Sequence, residues 1–219
     1  PLSGGGLRTK PWVLLPLLAS QAYLVEDRPN VSCWMKLLVP RETAPGEKRV
    51  AVTPETIRRL QSKGVAIHVE AGAGEAAGFA DALYNAVGAS VVPADSLAWE
   101  TADAVLCVQP PPLDAMRRMR EGALLVGLLA PHGAGELVRL LNARSLSAIS
   151  LELLPRISRA QAMDVLSSQA NIAGYKAVLL AAAALDRYVP MLMTAAGTIQ
   201  PARVLILGAG VAEIGRAHV

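Results

Sequence analysis

Met35-Lys36-Leu37-Leu38-Val39-Pro40, then Thr53-Pro54, then Gly64-Val65-Ala66-Ile67-His68-Val69, is the stretch on which the fold turns. A short apolar run ends at Pro40, a helical period follows Pro54, and a second short apolar run begins directly after Gly64. Thr53 offers a capping hydroxyl and Pro54 suits the first helical position. Gly64 supplies the left-handed residue that closes such a helix. Strand, helix and strand in this order are the signature of a parallel sheet with crossover helices.

Working outward, the alternation persists. Strands are predicted over Lys36–Val39, Val65–Val69, Ser90–Val92, Ala104–Val108, Ala123–Gly127 and Ser147–Ser150. Helices are predicted over Pro54–Ser62, Asp81–Val87, Leu113–Arg120 and Ala134–Asn142. Gly72-Ala73-Gly74 reads as a turn, because a third glycine is missing at phosphate-loop spacing. Beyond a polar segment, Pro155 to Asp164, a long helix is expected to about Tyr188. Leu166, Ala170, Ala173, Ala177, Leu180 and Ala184 form one stripe on it, widened by Val165, Ile172, Tyr175 and Leu179.

The composition excludes several function classes. The chain has 219 residues, 53% of them apolar, enough for a real core. A net charge of +3 without a basic block and an aromatic content of 4% leave no nucleic-acid partner to expect. Cys33 and Cys107 form neither a disulfide framework nor a metal spacing, and no metal site is expected. No apolar run approaches the roughly 20 residues of a membrane helix; the longest, Ala177 to Leu185, is half alanine.

Both ends read as foreign to this pattern. Arg8, Lys10, the apolar Trp12 to Ala19 and the small-residue Ala19-Ser20-Gln21-Ala22 resemble a secretion signal. The preferred reading is that residues 1–34 are upstream sequence and that Met35 is the start. Glu213-Ile214-Gly215-Arg216-Ala217-His218-Val219 back-translates to the start of a common sequencing adapter. On that reading the chain is a fragment with four segments: residues 1–34, 35–163, 164–212 and 213–219.

Two motifs carry chemistry. Arg203-Val204-Leu205-Ile206-Leu207 reads as a buried strand running into Gly208-Ala209-Gly210-Val211-Ala212, the opening of a dinucleotide-binding fingerprint. Gly208 permits the tight turn, and Gly210 lets backbone amides approach a pyrophosphate. The third glycine belongs at position 213, where Glu213 stands, and an ordinary strand-to-helix turn is the plainer alternative. The acidic residue that would select NAD over NADP is expected beyond the chain's end.

The second motif gathers Arg156, Gln161, Asp164, Ser167 and Ser168 around a helix start. Capping explains some of it: Ser158 and Gln161 fit a capping box, and Asp164 can cap a turn. Capping does not require Arg156, Gln161 and Asp164 together.

The twenty residues from Arg156 to Tyr175, RISRAQAMDVLSSQANIAGY, resemble the signature of the alpha subunit of proton-translocating NAD(P) transhydrogenases. Pro40-Arg41-Glu42 and Glu47-Lys48-Arg49-Val50-Ala51-Val52-Thr53-Pro54 resemble the wider family shared with alanine dehydrogenase. The resemblance spans Met35 to Ala212 and implies two Rossmann-like α/β domains with parallel sheets, the second truncated. It implies NAD(H) on this chain, with Arg156, Ile157, Ser158, Gln161, Asp164, Ser167, Gly208, Gly210, Val211 and Ala212 as cofactor-binding residues. Arg156 and Asp164 would hold the carboxamide and nearby ribose or phosphate groups, and Ser167 would assist. Gln161 and Asp164 are the residues placed at the reacting end, Gln161 facing a partner's NADP(H).

The implied partner is a membrane-bound beta subunit. The alpha subunit would be a homodimer, peripheral at the cytoplasmic face of the inner (plasma) membrane. Hydride passing between two nicotinamides needs no general base, and neither His68 nor His132 has an obvious partner; each is expected at a surface or turn. The rivals are an alanine dehydrogenase and a non-catalytic α/β binding module. In the alanine dehydrogenase branch a Lys and a His stand where this chain has Gln109 and Ala130.

Overall fold

The computed structural model describes residues 35–215. The chain divides into two compact units, the first ending at Met163 and the second starting at Asp164.

In the first unit, β1 (Met35–Val39), β2 (Val65–Glu70), β3 (Ser90–Val92), β4 (Ala104–Leu106), β5 (Leu124–Gly127) and β6 (Ser147–Ser150) form one sheet. Its order is β3-β2-β1-β4-β5-β6 and every pairing is parallel, with Leu37 opposite both Ile67 and Ala104. The crossovers carry α1 (Pro54–Gln61), α2 (Asp81–Ala86), α3 (Ala98–Thr101), α4 (Leu113–Arg117) and α5 (Gly135–Ala143). All six predicted strands and four of these helices stand where periodicity puts them. The one-turn α3 has too few residues to show a period, yet it seats the buried Trp99.

Strand residues alternate between faces, and both faces are covered, so Leu37, Leu38, Val39, Val105, Leu106 and Leu125 are all buried. Leu38, Val105 and Leu125 pack with Trp99, Met116, Met119 and Leu137. On α1, Ile57 and Leu60 are buried, and Gly64 follows at φ +77°, the left-handed closure expected. Thr53 does not cap with its hydroxyl. Its carbonyl starts the helix by accepting from the Ile57 N–H, and its Oγ1 lies 3.4 Å from Thr56 Oγ1 in a buried pair. His68 is neither a surface nor a turn residue: it lies within β2, with a buried Nδ1 that has no hydrogen-bond partner among the described residues. His132 does fall in a turn.

The second unit holds α6 (Val165–Ala183), a β7–β8 hairpin (Leu192–Thr194 and Gly197–Ile199) and α7 (Val211–Gly215). Two expectations fail here. The long helix ends at Ala183 rather than near Tyr188, its last turn tightening so that the Leu185 N–H donates to the Ala182 carbonyl. The predicted stripe is also not the buried face: Ile172, Tyr175, Leu179 and Leu180 are exposed, and Gly174 is the buried residue of α6. A helix apolar all round has no face that periodicity alone can select. The face is chosen by closeness of approach. A Cβ on Gly174 would run into the Ala212 carbonyl oxygen, so α6 and α7 meet only because residue 174 has none.

Arg203–Leu207 is not a buried strand. Val204, Leu205 and Leu207 are largely exposed, and no described strand pairs with them. A parallel strand is defined by neighbours that take up its N–H and C=O groups, and the strands described in this unit pair only with each other. Those strands are antiparallel, so a parallel sheet is described in the first unit alone.

Candidate functional site

In a doubly wound sheet ligands bind beyond the carboxyl ends of the strands, where the strand order reverses. Here that point lies between β1 and β4. The chain leaves β1 toward β2 and β3 on one side, then returns to build β4, β5 and β6 on the other.

The backbone donors at this edge are held by the chain's own carboxylates. Glu70 Oε2 accepts from the Arg41 N–H after β1 at 2.8 Å, and its Oε1 accepts from Trp99 Nε1 at 2.7 Å. After β2, the Gly72 N–H donates to both Asp81 oxygens at 2.9 and 3.1 Å, so Gly72-Ala73-Gly74 is an internally satisfied turn. After β4, Glu42 accepts from the Val108 N–H at 2.5 Å and the Gln109 N–H at 3.0 Å. After β5, the N–H groups of Leu129 and Ala130 both donate to Glu152.

These environments push carboxylates in opposite directions. Burial raises the Glu42 pKa despite its two amide donors. The Arg49 guanidinium on Glu47 brings that carboxylate down to about 2, with Gln109 Nε2 adding a hydrogen bond at 3.2 Å. Cys107 is buried with its thiol pKa raised by burial, so it is an inert core thiol. Gln109 and Ala130, the positions singled out for the dehydrogenase rival, are bound to Glu42, Glu47 and Glu152 and cannot ionise.

Of the sequence-predicted site residues, the first unit carries Arg156, Ile157, Ser158 and Gln161 on one segment. Ile157 and Ala160 N–H groups donate to the Pro155 and Ile157 carbonyls, and a 3-10 helix spans Ser158–Met163. Ala160 is buried, whereas Arg156, Ile157, Ser158 and Gln161 are exposed. No side-chain hydrogen bond joins Ser158 and Gln161 among the described residues, so the capping-box reading fails. A single 3-10 turn keeps both side chains on the outside.

In the second unit Asp164 is the N-cap of α6. It accepts from the Ser167 N–H at 2.9 Å and from Ser167 Oγ at 2.5 Å, while Ser168 Oγ donates to its carbonyl at 3.1 Å. The fingerprint residues share one turn: Gly208 has φ +116°, Gly210 follows, and Val211 and Ala212 open α7. Glu213 folds back over it. Its Oε2 accepts from the Gly210 N–H at 2.6 Å, and its Oε1 lies 2.8 Å from where a Cβ on Gly208 would be.

The sequence reading missed Glu152 and the roles of Glu42 and Glu47. Isolated acids in loops look like solvated surface until the amides they bind are brought to them. The available signal was positional, each acid lying close to a strand end.

Parallel strands in the order β3-β2-β1-β4-β5-β6 with helices between them make this a Rossmann-like α/β protein. The sequence model for the N-terminal domain of alanine dehydrogenase/PNT matches residues 38–173, and that for the C-terminal domain matches residues 177–218. The chain belongs to the alanine dehydrogenase/PNT family.

It is 44% identical over 185 residues to a chain of NAD(P) transhydrogenase subunit alpha from Rhodospirillum rubrum, covering 82% of this chain and 48% of that protein. It is 43% identical over 180 residues to NAD(P) transhydrogenase subunit alpha of Cereibacter sphaeroides, covering 82% of this chain and 34% of the relative. Alanine dehydrogenase of Halomonas elongata is 31% identical over 180 residues, with 81% and 48% covered. Among solved structures, a transhydrogenase from Sinorhizobium meliloti superposes with a TM-score of 0.78 at 41% identity, over 83% of this chain and 52% of that one. The chain thus spans about half the length of these relatives, or less.

Proposed function

We propose that this chain is the NAD(H)-side portion of a transhydrogenase alpha subunit. The whole subunit would pass hydride from NADH to NADP+ on a membrane-bound beta subunit, coupled to proton translocation. Such a subunit would work as a homodimer, peripheral at the cytoplasmic face of the inner membrane; among the described residues no helix is long and apolar enough to cross a membrane.

The observation that carries this reading is the state of Gln109 and Ala130. Alanine chemistry moves protons on and off its substrate and needs ionisable groups beside it. These two positions instead present an amide and a methyl, with their backbone N–H groups given to Glu42 and Glu152. Hydride transfer between two nicotinamides needs positioning and no general base.

The donors present suit one end of the cofactor better than the other. The Arg156 guanidinium, the Gln161 amide and the Asp164–Ser167 pair offer the chemistry that holds a carboxamide and ribose hydroxyls. Gln161 and Asp164 are the residues we assign to the reacting end, Gln161 toward the partner's cofactor. When bound, NADH supplies the hydride; the side chains orient its ring. At the glycine turn, Gly208, Gly210, Val211 and Ala212 offer the backbone for a pyrophosphate. The Glu213 carboxylate already holds the Gly210 N–H, so the diphosphate end is poorly served.

The test is transfer from NADH to an NADP+ analogue by a subunit of the relatives' full length, with and without the beta subunit. Transfer only with the beta subunit present is expected. Transfer without it, or none with it, would overturn the reading.

A further inference from the structure

Glu152 stands at a junction that neither the fold nor the proposed reaction explains. It belongs to a short 3-10 turn, Leu151–Leu153, directly after β6, and the segment bearing Arg156 and Gln161 springs from that turn. Its carboxylate reaches back across 22 residues to the end of β5. There it accepts from the Leu129 N–H at 3.3 Å and from the Ala130 N–H, while Ser150 Oγ donates to it at 2.7 Å.

The residue it grips is strained. Ala130 has φ +45°, a left-handed conformation that a non-glycine residue holds only when its surroundings impose it. The carboxylate supplies that constraint, taking two successive N–H groups as an anion would. Leu151, beside it, is buried, and Ala160 is the next buried residue along the segment. The intervening Pro155 to Arg159 is exposed and held by short-range turns, so its place is set from its two ends.

We propose that Glu152 is a positioning residue, clamping the end of β5 to the root of the segment that carries Arg156 and Gln161. Its service to the cofactor rests on the reading of that segment given under Proposed function. The clamp itself does not.

The experiment uses the 219-residue chain and amide hydrogen exchange at residues 129–134 and 154–161. Wild type is compared with Glu152→Gln, Glu152→Asp and Ser150→Ala. Gln keeps the size but offers one carbonyl where two oxygens are needed, so exchange should rise about tenfold in both segments. Asp retains the charge and should restore some of the protection. Ser150→Ala removes one donor without disturbing the acid and serves if Glu152→Gln fails to fold; a smaller rise in both segments is expected.

Unchanged exchange at 154–161 in Glu152→Gln, or in Ser150→Ala where the first does not fold, overturns the proposal. NADH affinity by fluorescence, in the Glu213→Gly background, separates the two claims. Weakening by Arg156→Ala and by Glu152→Gln supports both. Weakening by Arg156→Ala alone overturns the positioning role. A loosened segment with no NADH effect from either variant supports the clamp and sinks the cofactor reading.

Discussion

Glu213 Oε2 accepts the Gly210 N–H at 2.6 Å, so a carboxylate of the chain sits on the amide that a dinucleotide pyrophosphate would take. The same side chain crowds the open space at Gly208. A phosphate would have to displace it and then face its charge.

The chain should therefore bind NADH feebly, and Glu213→Gly should bind it at least about tenfold more tightly by calorimetry, the value of one charge-assisted hydrogen bond. Tight binding by the unaltered chain would sink this account of the turn.

The polar residues around the start of α6 should separate into two kinds. Asp164→Ala should cost about 1 kcal/mol in urea unfolding, because its carboxylate caps Ser167. Arg156→Ala and Gln161→Ala, both exposed, should stay within about 0.5 kcal/mol of wild type. In the whole subunit with its partner, Arg156→Ala and Asp164→Ala should slow hydride transfer strongly. Gln161→Ala should impair transfer more than NADH affinity. Equal rates for all three and wild type would remove these residues from the mechanism.

Acid stability turns on Glu47. Its folded pKa of about 2 lies below the unfolded value of about 4.3, so its contribution is complete above that value and fades as pH falls toward 2. Discounted for its half-exposed Arg49 partner, this amounts to about 2 kcal/mol. Glu42 has the opposite sign: its pKa is raised on folding, so protonation favours the fold and offsets some of the loss. Urea midpoints at pH 7 and pH 3 should converge in Glu47→Gln relative to wild type. Parallel losses in the two proteins would show that the ion pair contributes nothing.

Gly174→Ala tests the contact between α6 and α7. In an open helix this change gains about 1 kcal/mol. Here the added methyl meets the Ala212 carbonyl, and a loss of about 1–3 kcal/mol is expected, with faster amide exchange in α7. A rise in stability would mean that the two helices do not pack through this glycine.

A subunit of the relatives' full length should oxidise no alanine and reduce no pyruvate with ammonia. Gln109 and Ala130 cannot carry a proton, and Arg41 alone cannot both bind a carboxylate and transfer a proton. Robust alanine oxidation without a partner would place the chain in the other branch of the family.

What the sequence alone determined was local and periodic. Short apolar runs between turn residues located six strands, because burial on both faces of a parallel sheet leaves that mark on each strand separately. The Arg156–Tyr175 stretch carried the family, since it is contiguous. What only the tertiary structure decided joins distant residues. Glu42 meets Val108 across 66 positions, and Glu152 meets Ala130 across 22, so no window of sequence contains either pair. The buried face of α6 followed neither its period nor its hydrophobicity but the one position where Gly174 admits another backbone. Arg203–Leu207 has a strand's composition without a strand's neighbours, and hydrogen bonds between chains, not apolarity, make a strand.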